Sequence, residues 1–265
     1  MINAPIKYFG GKSGMINQIL KWFPKDYKVY CEPFGGSYSV GLNQECHNEI
    51  YNDLEQNVYS LFKVLSDKDL FHKFKELVDL TYYSEDIRKE FKEKLKGNIS
   101  IIDRAYYFYI LNRMSMNGVG GFSVNLVKRR NLSKSISDYL SCCDRLEQLH
   151  QRLSTVIIRN MDAIELIKLY DSTNMFYYLD SPYVWETRGS TRYIKDMNNE
   201  KQKEYVNTLI TLKSKCLVSG YKCELYEILE KNGFKRVDFE VNTKNSPKTK
   251  VESLWMNYSI KNYIF

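Results

Sequence analysis

Val29-Tyr30-Cys31-Glu32-Pro33-Phe34-Gly35-Gly36-Ser37 reads as a short strand that stops at a proline and turns on paired glycines. Helical spacing resumes over residues 40–46. Glu49-Ile50-Tyr51-Asn52-Asp53 then reads as a second strand ending in an acid, followed by a helix over residues 55–65. Upstream, Lys7-Tyr8-Phe9-Gly10-Gly11-Lys12 is a basic, glycine-rich loop, and the amphipathic stretch 15–23 is closed by Pro24. Strand, helix, strand, helix in this order is the opening of a doubly wound α/β sheet.

The middle of the chain loses that alternation. Residues 67–96 are charged and helical, with a break at Gly97-Asn98, and residues 104–114 form an aromatic-rich helix candidate. A glycine-rich stretch from Gly118 to Gly121 and the basic triplet Lys128-Arg129-Arg130 follow. Alternation returns with helix 141–153, strand 156–158, helix 163–170, strand 176–179 ending at Asp180, helix 200–213, strand 216–219 and helix 224–231. Residues 237–241 and 255–258 are candidates for a closing hairpin. The expected organisation is therefore a Rossmann-like α/β sheet domain in two parts, residues 1–62 and 151–265, with a mainly helical lobe, residues 63–150, inserted between them.

Composition limits the classes of function. The 265 residues are 43% hydrophobic and 27% charged, values of a globular chain rather than a disordered one. No apolar run reaches membrane-span length and no signal-peptide core opens the chain, so a cytoplasmic protein without membrane contact is expected. Six cysteines without a CxxC pair and only three histidines argue against a zinc centre or a disulfide framework, and no metal is expected. The net charge of +7 suits a polyanionic partner, and the 22 tyrosines can stack bases, although a solvated basic surface has the same composition.

The chemistry lies at the expected strand ends, where open α/β sheets bind ligands. Glycines after the first strand let backbone approach a nucleoside-containing cofactor. Asp53, about 20 residues further on, is placed to accept hydrogen bonds from ribose hydroxyls. An ordinary strand–helix turn or a nicotinamide enzyme fits those features equally. Asp180-Ser181-Pro182-Tyr183 is more specific. The Asp180 carboxylate can accept from an amino group, and Pro182 biases Ser181 away from helical angles so that its carbonyl becomes a second acceptor. Tyr183 offers a ring for stacking a base. Together they can hold an exocyclic NH₂ and make it nucleophilic towards a sulfonium methyl.

With these pieces in order, the chain resembles the Dam-type (D12 class) DNA adenine-N6 methyltransferases, phage-borne members in particular. The matching segments are 7–12, 32–36, Asn52-Asp53, Asp162, 180–183 and Leu217-Val218-Ser219-Gly220-Tyr221. The resemblance implies S-adenosyl-L-methionine as methyl donor and S-adenosyl-L-homocysteine as product, and double-stranded DNA as substrate. It also implies direct in-line transfer to a flipped adenine, by a monomer in solution that can pair on DNA. Tyr8, Gly11 and Lys12 would meet the methionine end of the donor. Glu32, Pro33, Phe34, Gly35, Gly36 and Ser37 would border it, Asp53 its ribose and Asp162 its adenine. Asp180, Ser181, Pro182 and Tyr183 would be catalytic. Arg113, Asn117, Lys128, Arg129, Arg130, Arg188 and Arg192 would face DNA.

Two positions depart from the family pattern. Ser181 stands where a proline is usual, and keeps the backbone carbonyl. Tyr38 stands where a small residue is usual, and its ring is expected to reshape or cover the donor pocket. A catalytically silent methylase-like DNA-binding protein, or an amino-methyltransferase acting on cytosine N4 or RNA, remain alternatives.

Overall fold

A computed structural model describes residues 1–8, 10–182, 197–241 and 250–259. Along the chain run α1 (Ile16–Leu20), β1 (Val29–Glu32), β2 (Glu49–Asn52), α2 (Gln56–Ser66), α3 (Lys68–Asp79), α4 (Glu85–Lys94) and α5 (Ile101–Met114). There follow β3 (Lys128–Arg129), β4 (Leu132–Ser133), α6 (Lys134–Cys143), α7 (Leu146–Leu153), β5 (Val156–Arg159), α8 (Ala163–Tyr170) and β6 (Met175–Leu179). The chain continues with α9 (Asn199–Leu209), β7 (Lys215–Gly220), α10 (Glu224–Lys231), β8 (Lys235–Val241) and β9 (Lys250–Met256). Residues 1–16, 36–45 and 55–160 form one compact unit; residues 17–35, 46–54 and 161–265 form the other.

The second unit is the α/β one. Its strands lie in the order β2-β1-β6-β7-β9-β8. β2, β1, β6 and β7 are parallel, and β9 and β8 close the edge as an antiparallel hairpin. All five residues of β6 are buried, as expected of a parallel strand covered on both faces. Alternate residues separate the two faces. Cys31, Tyr177, Leu179, Cys216 and Val218 join the core that α8, α9 and α10 complete. Tyr30, Phe176 and Tyr178 meet Phe23 on the other side, with Phe23 edge-on to Phe176 at 4.7 Å. From β1 the chain goes to β2 on one side and later returns to β6 on the other. That reversal puts the switch point between β1 and β6, where the ends of neighbouring strands leave a crevice.

The first unit holds β5 and the helices α2 to α7. Capping side chains start most of these helices: Glu55, Asp67, Ser84, Ser100 and Ser133 each accept from backbone amides at an N-terminus. One expectation is corrected here. The helical stretch 40–46 is only a 3-10 turn, Gly41–Asn43, because Gly36 and Tyr38 take positive φ and the Tyr38 ring lies against Gly41. Within the basic triplet, Lys128 and Arg129 pair with Ser133 and Leu132, while Arg130 and Asn131 turn at φ of 52° and 62°.

Candidate active site and nucleic-acid interface

In the second unit three carboxylates stand at the carboxyl ends of neighbouring parallel strands. Glu32 ends β1, Asp53 follows β2 and Asp180 follows β6. The registers Cys31↔Ile50 and Cys31↔Tyr177 bring the three ends to one edge of the sheet. Glu32 and Asp53 are buried, at 3% and 8% exposure, and Glu32 Oε1 accepts from the Tyr30 hydroxyl at 2.6 Å. Gly35 must be glycine: a Cβ would fall 2.2 Å from the Tyr51 ring. Phe34 packs edge-on against Tyr205, centroids 5.6 Å apart.

Asn52, fully buried, organises the loops around this edge. Its Nδ2 donates to the carbonyls of Pro33 at 2.8 Å and Met161 at 3.0 Å. Its Oδ1 accepts from Met161 N at 3.0 Å. Asp162, next in sequence, caps α8 by accepting from Ile164 N at 2.9 Å, and pairs with Lys201. Partial burial works against its charge, but the Lys201 ammonium and the amides of Glu165 and Ile164 outweigh it. The carboxyl is held below the ordinary range.

Ser181 is 3% exposed, and its hydroxyl lies 3.0 Å from that of Tyr226 on α10. Sequence inspection missed Tyr226, since nothing in a single helical tyrosine signals a partner 45 residues away. Tyr183, Arg188 and Arg192 lie outside the described residues.

The first unit carries the other motif residues. Gly11 N donates to Tyr8 O at 3.1 Å, and Lys12 is buried with its Nζ donating to Gly10 O at 3.3 Å. Gly36, at φ of 48°, lies under the Tyr8 ring, so that a Cβ would sit 3.1 Å from it. The Ser37 and Ser39 hydroxyls are hydrogen-bonded at 2.8 Å. Tyr38 is wholly buried, edge-on to Phe62 at 6.2 Å. Its ring therefore fills the core of its own unit rather than spreading over a pocket, which corrects the expectation for that departure.

Asn112 does for this unit what Asn52 does for the other. It donates to Lys7 O at 2.8 Å and accepts from Lys7 N at 2.8 Å, which fixes the loop that leads into Tyr8. Gly118, at φ of 86°, comes so close that a Cβ would meet Lys7 O at 2.4 Å.

A polar cavity of about 620 Å³ opens in the same unit, lined by Lys7, Arg113, Asn117, Arg129, Arg130 and Arg145 among others. It brings together four of the residues expected to face DNA; Lys128 is exposed on β3 and not part of the lining. Loss of hydration and then the Arg113 charge hold the Lys7 ammonium below its ordinary value. Lys7, quoted above only as the start of the basic loop 7–12, was not expected to face DNA, and Arg145 was not anticipated, being a basic residue outside any run. The cavity is strongly cationic, but Asp138 answers part of it by pairing with Arg129 and Lys134.

The second unit thus carries a row of carboxylates at its strand ends, and the first unit carries a cationic cavity. The model of the family described as D12 class N6 adenine-specific DNA methyltransferase matches residues 8–245. The chain belongs to that family. The D12 chain is 27% identical over 228 residues to modification methylase StsI of Streptococcus sanguinis, covering 78% of this chain and 33% of StsI. It is 22% identical over 263 residues to type II methyltransferase M.CviBI of Paramecium bursaria Chlorella virus NC1A, covering 90% and 95%. Over 118 residues it is 27% identical to the DNA adenine methylase of Escherichia coli (strain K12), covering 44% and 42%. The chain thus spans a third of StsI and nearly all of M.CviBI. Membership bears out the family resemblance and the mostly parallel α/β sheet. Among the described residues no helix is long and apolar enough to cross a membrane, and no cluster of three or more potential metal ligands occurs.

Proposed function

We propose that this chain is a site-specific DNA adenine-N6 methyltransferase that takes its methyl group from S-adenosyl-L-methionine. The observation that carries the proposal is the row of Glu32, Asp53 and Asp180 at adjacent ends of β1, β2 and β6, at the switch point of the sheet.

The residues present fit such a donor. Buried carboxylates at Glu32 and Asp53 are acceptors for the hydroxyls of a nucleoside. By the family resemblance, Tyr8, Gly11 and Lys12 are assigned to the methionine end of the donor, where an ammonium suits a carboxylate, and Gly36 to its border. Asp162 is assigned to the donor's adenine, and Pro33, Phe34, Gly35 and Ser37 to its border. The donor supplies an electrophilic sulfonium methyl.

At the other end of the transfer, Asp180 accepts a hydrogen bond from the N6 amino group of the target adenine. The Ser181 carbonyl accepts the second, Pro182 shapes the turn and Tyr183 stacks the base. Those two acceptors orient the nitrogen lone pair along the line of displacement, and the Asp180 carboxylate stabilises positive charge that develops there. A paired, stacked adenine cannot reach such a site, so the base is flipped out of the duplex.

Residues 1–62 and 151–265 are assigned to catalysis and residues 63–150 to target recognition. Arg113, Asn117, Arg129 and Arg130 line one cationic cavity, which supports a DNA-facing role for them; Lys128 is assigned with Arg129 and Arg130 to phosphates, and Arg188 and Arg192 to the flipped nucleotide. The chain acts as a monomer in solution and can pair on DNA. Methylation-sensitive sequencing of DNA from cells expressing it tests the proposal. A modified adenine within a fixed short sequence is the expected result. Methylated cytosine, or none, would overturn it.

A further inference from the structure

The proposed transfer uses the backbone carbonyl of Ser181 and leaves its side chain without a task. The structure gives that side chain one. Ser181 Oγ and the Tyr226 phenolic oxygen are 3.0 Å apart, and both residues are 3% exposed. Water therefore competes little for this bond.

Tyr226 is itself tightly held. It sits in the first turn of α10, with its ring edge-on to Trp255 of β9 at 5.0 Å and 75°. The ring covers Gly220 at the end of β7 so closely that a Cβ there would lie 2.8 Å away. Trp255 in turn donates from Nε1 to Glu230 at 3.1 Å, and the same carboxylate oxygen accepts from Arg236 at 2.7 Å. The phenol is thus fixed by α10, β7 and β9 before it reaches Ser181.

We infer that Tyr226 is a positioning residue for the catalytic tetrapeptide. A proline at position 181 would lock φ by its ring. Serine leaves that torsion free, and only the preference imposed by Pro182 restricts it. The bond to Tyr226 supplies the missing restraint from outside the backbone. It ties the Ser181 side chain to a rigid strut and so fixes the peptide whose carbonyl faces the amino group. The glycine at 220 belongs to the same device, since any side chain there would displace the ring.

This inference rests on the proposed methyl transfer, and its test separates the two. Methyl transfer into DNA is measured for the wild-type chain, Tyr226→Phe, Ser181→Ala and the double variant, with KM for the donor and the unfolding midpoint recorded for each. Tyr226→Phe is expected to lower kcat roughly tenfold, because a misplaced acceptor costs mostly in the transition state. KM for the donor is expected to stay within about twofold, since the bond touches no donor residue. Ser181→Ala should match that loss, and the double variant should be no worse than either single one. A kcat for Tyr226→Phe within twofold of wild type, losses that multiply in the double variant, or a KM that moves as much as kcat each overturns the inference alone. A wild-type chain that methylates no DNA removes the proposed function, and the inference with it.

Discussion

Asn52 and Met161, 109 residues apart, exchange a pair of hydrogen bonds through one side-chain amide, each 3.0 Å long. The same amide nitrogen also reaches Pro33 O at 2.8 Å. One buried side chain thus ties the turn after β1 to the loop that presents Asp162.

Replacing Asn52 with alanine removes its bonds to three backbone groups, one buried at Pro33 and two partly buried at Met161. Each such group costs about 1–3 kcal/mol, less whatever relaxation recovers. We expect Asn52→Ala to lose about 3 kcal/mol, read as a lower urea midpoint at unchanged slope. Asn52→Asp should be worse, since an acceptor would then face two carbonyls. A midpoint equal to wild type would show that the clamp is dispensable.

The sheet was legible because its strands carry local signals. Apolar runs such as 176–179, stopped by Asp180, announce parallel strands, and the glycine pair announces the turn after β1. The carboxylate row followed from those endings. What sequence could not give were the partners made at long range. Asn112 has no neighbour that marks it as the clamp on Lys7, 105 residues away, and Tyr226 looks like any helical aromatic. Tyr38 misled for a related reason. Side-chain direction at a positive φ depends on the turn around it, and this turn sends the ring into the core beside Phe62. The stretch 40–46 has helical spacing but follows two positive-φ residues, so tertiary geometry overrode the local pattern.

Asp180→Ala removes the acceptor assigned to the amino group of the flipped base while leaving the cationic cavity of the first unit intact. Turnover is expected to fall about a thousandfold, as for removal of one preorganised electrostatic contact. DNA affinity should stay within about threefold of wild type. Steady-state methylation and fluorescence anisotropy with a DNA duplex measure the two effects separately. Retained turnover would remove Asp180 from the chemistry.

Asp162 makes part of the fold's stability depend on pH. Burial favours its neutral form, but Lys201 and the first amides of α8 outweigh that and lower its folded-state value. A carboxyl depressed on folding contributes fully above its unfolded value of about 3.9, and that contribution is lost as pH falls through the folded value. Asp162→Asn keeps the cap and deletes the charge. Its unfolding midpoint should lie below wild type at pH 7, and the gap should close below about pH 4. A gap that is constant between pH 3 and pH 7 would be inconsistent with this account.

The cations of the β3–β4 hairpin that are proposed to meet phosphates are not equivalent. Arg129 is already paired with Asp138, which Lys134 also holds at 2.7 Å, and Arg130 donates to Ser141 Oγ at 3.2 Å. Lys128 is exposed on β3. Each phosphate neutralised contributes about 0.9 to the slope of log affinity against log salt. Lys128→Ala should therefore reduce that slope by about 1, equally on specific and nonspecific duplexes. Arg129→Ala should reduce it by less, because Asp138 cancels much of its charge before DNA arrives. Removing the competitor should act in the opposite direction: Asp138→Ala releases Arg129 and Lys134, raises affinity at low salt and steepens the slope. Salt titrations of anisotropy for the three variants distinguish these outcomes. Weaker binding by Asp138→Ala would mean that the acid holds the hairpin in its binding shape, and that its pairing with Arg129 supports recognition instead of opposing it.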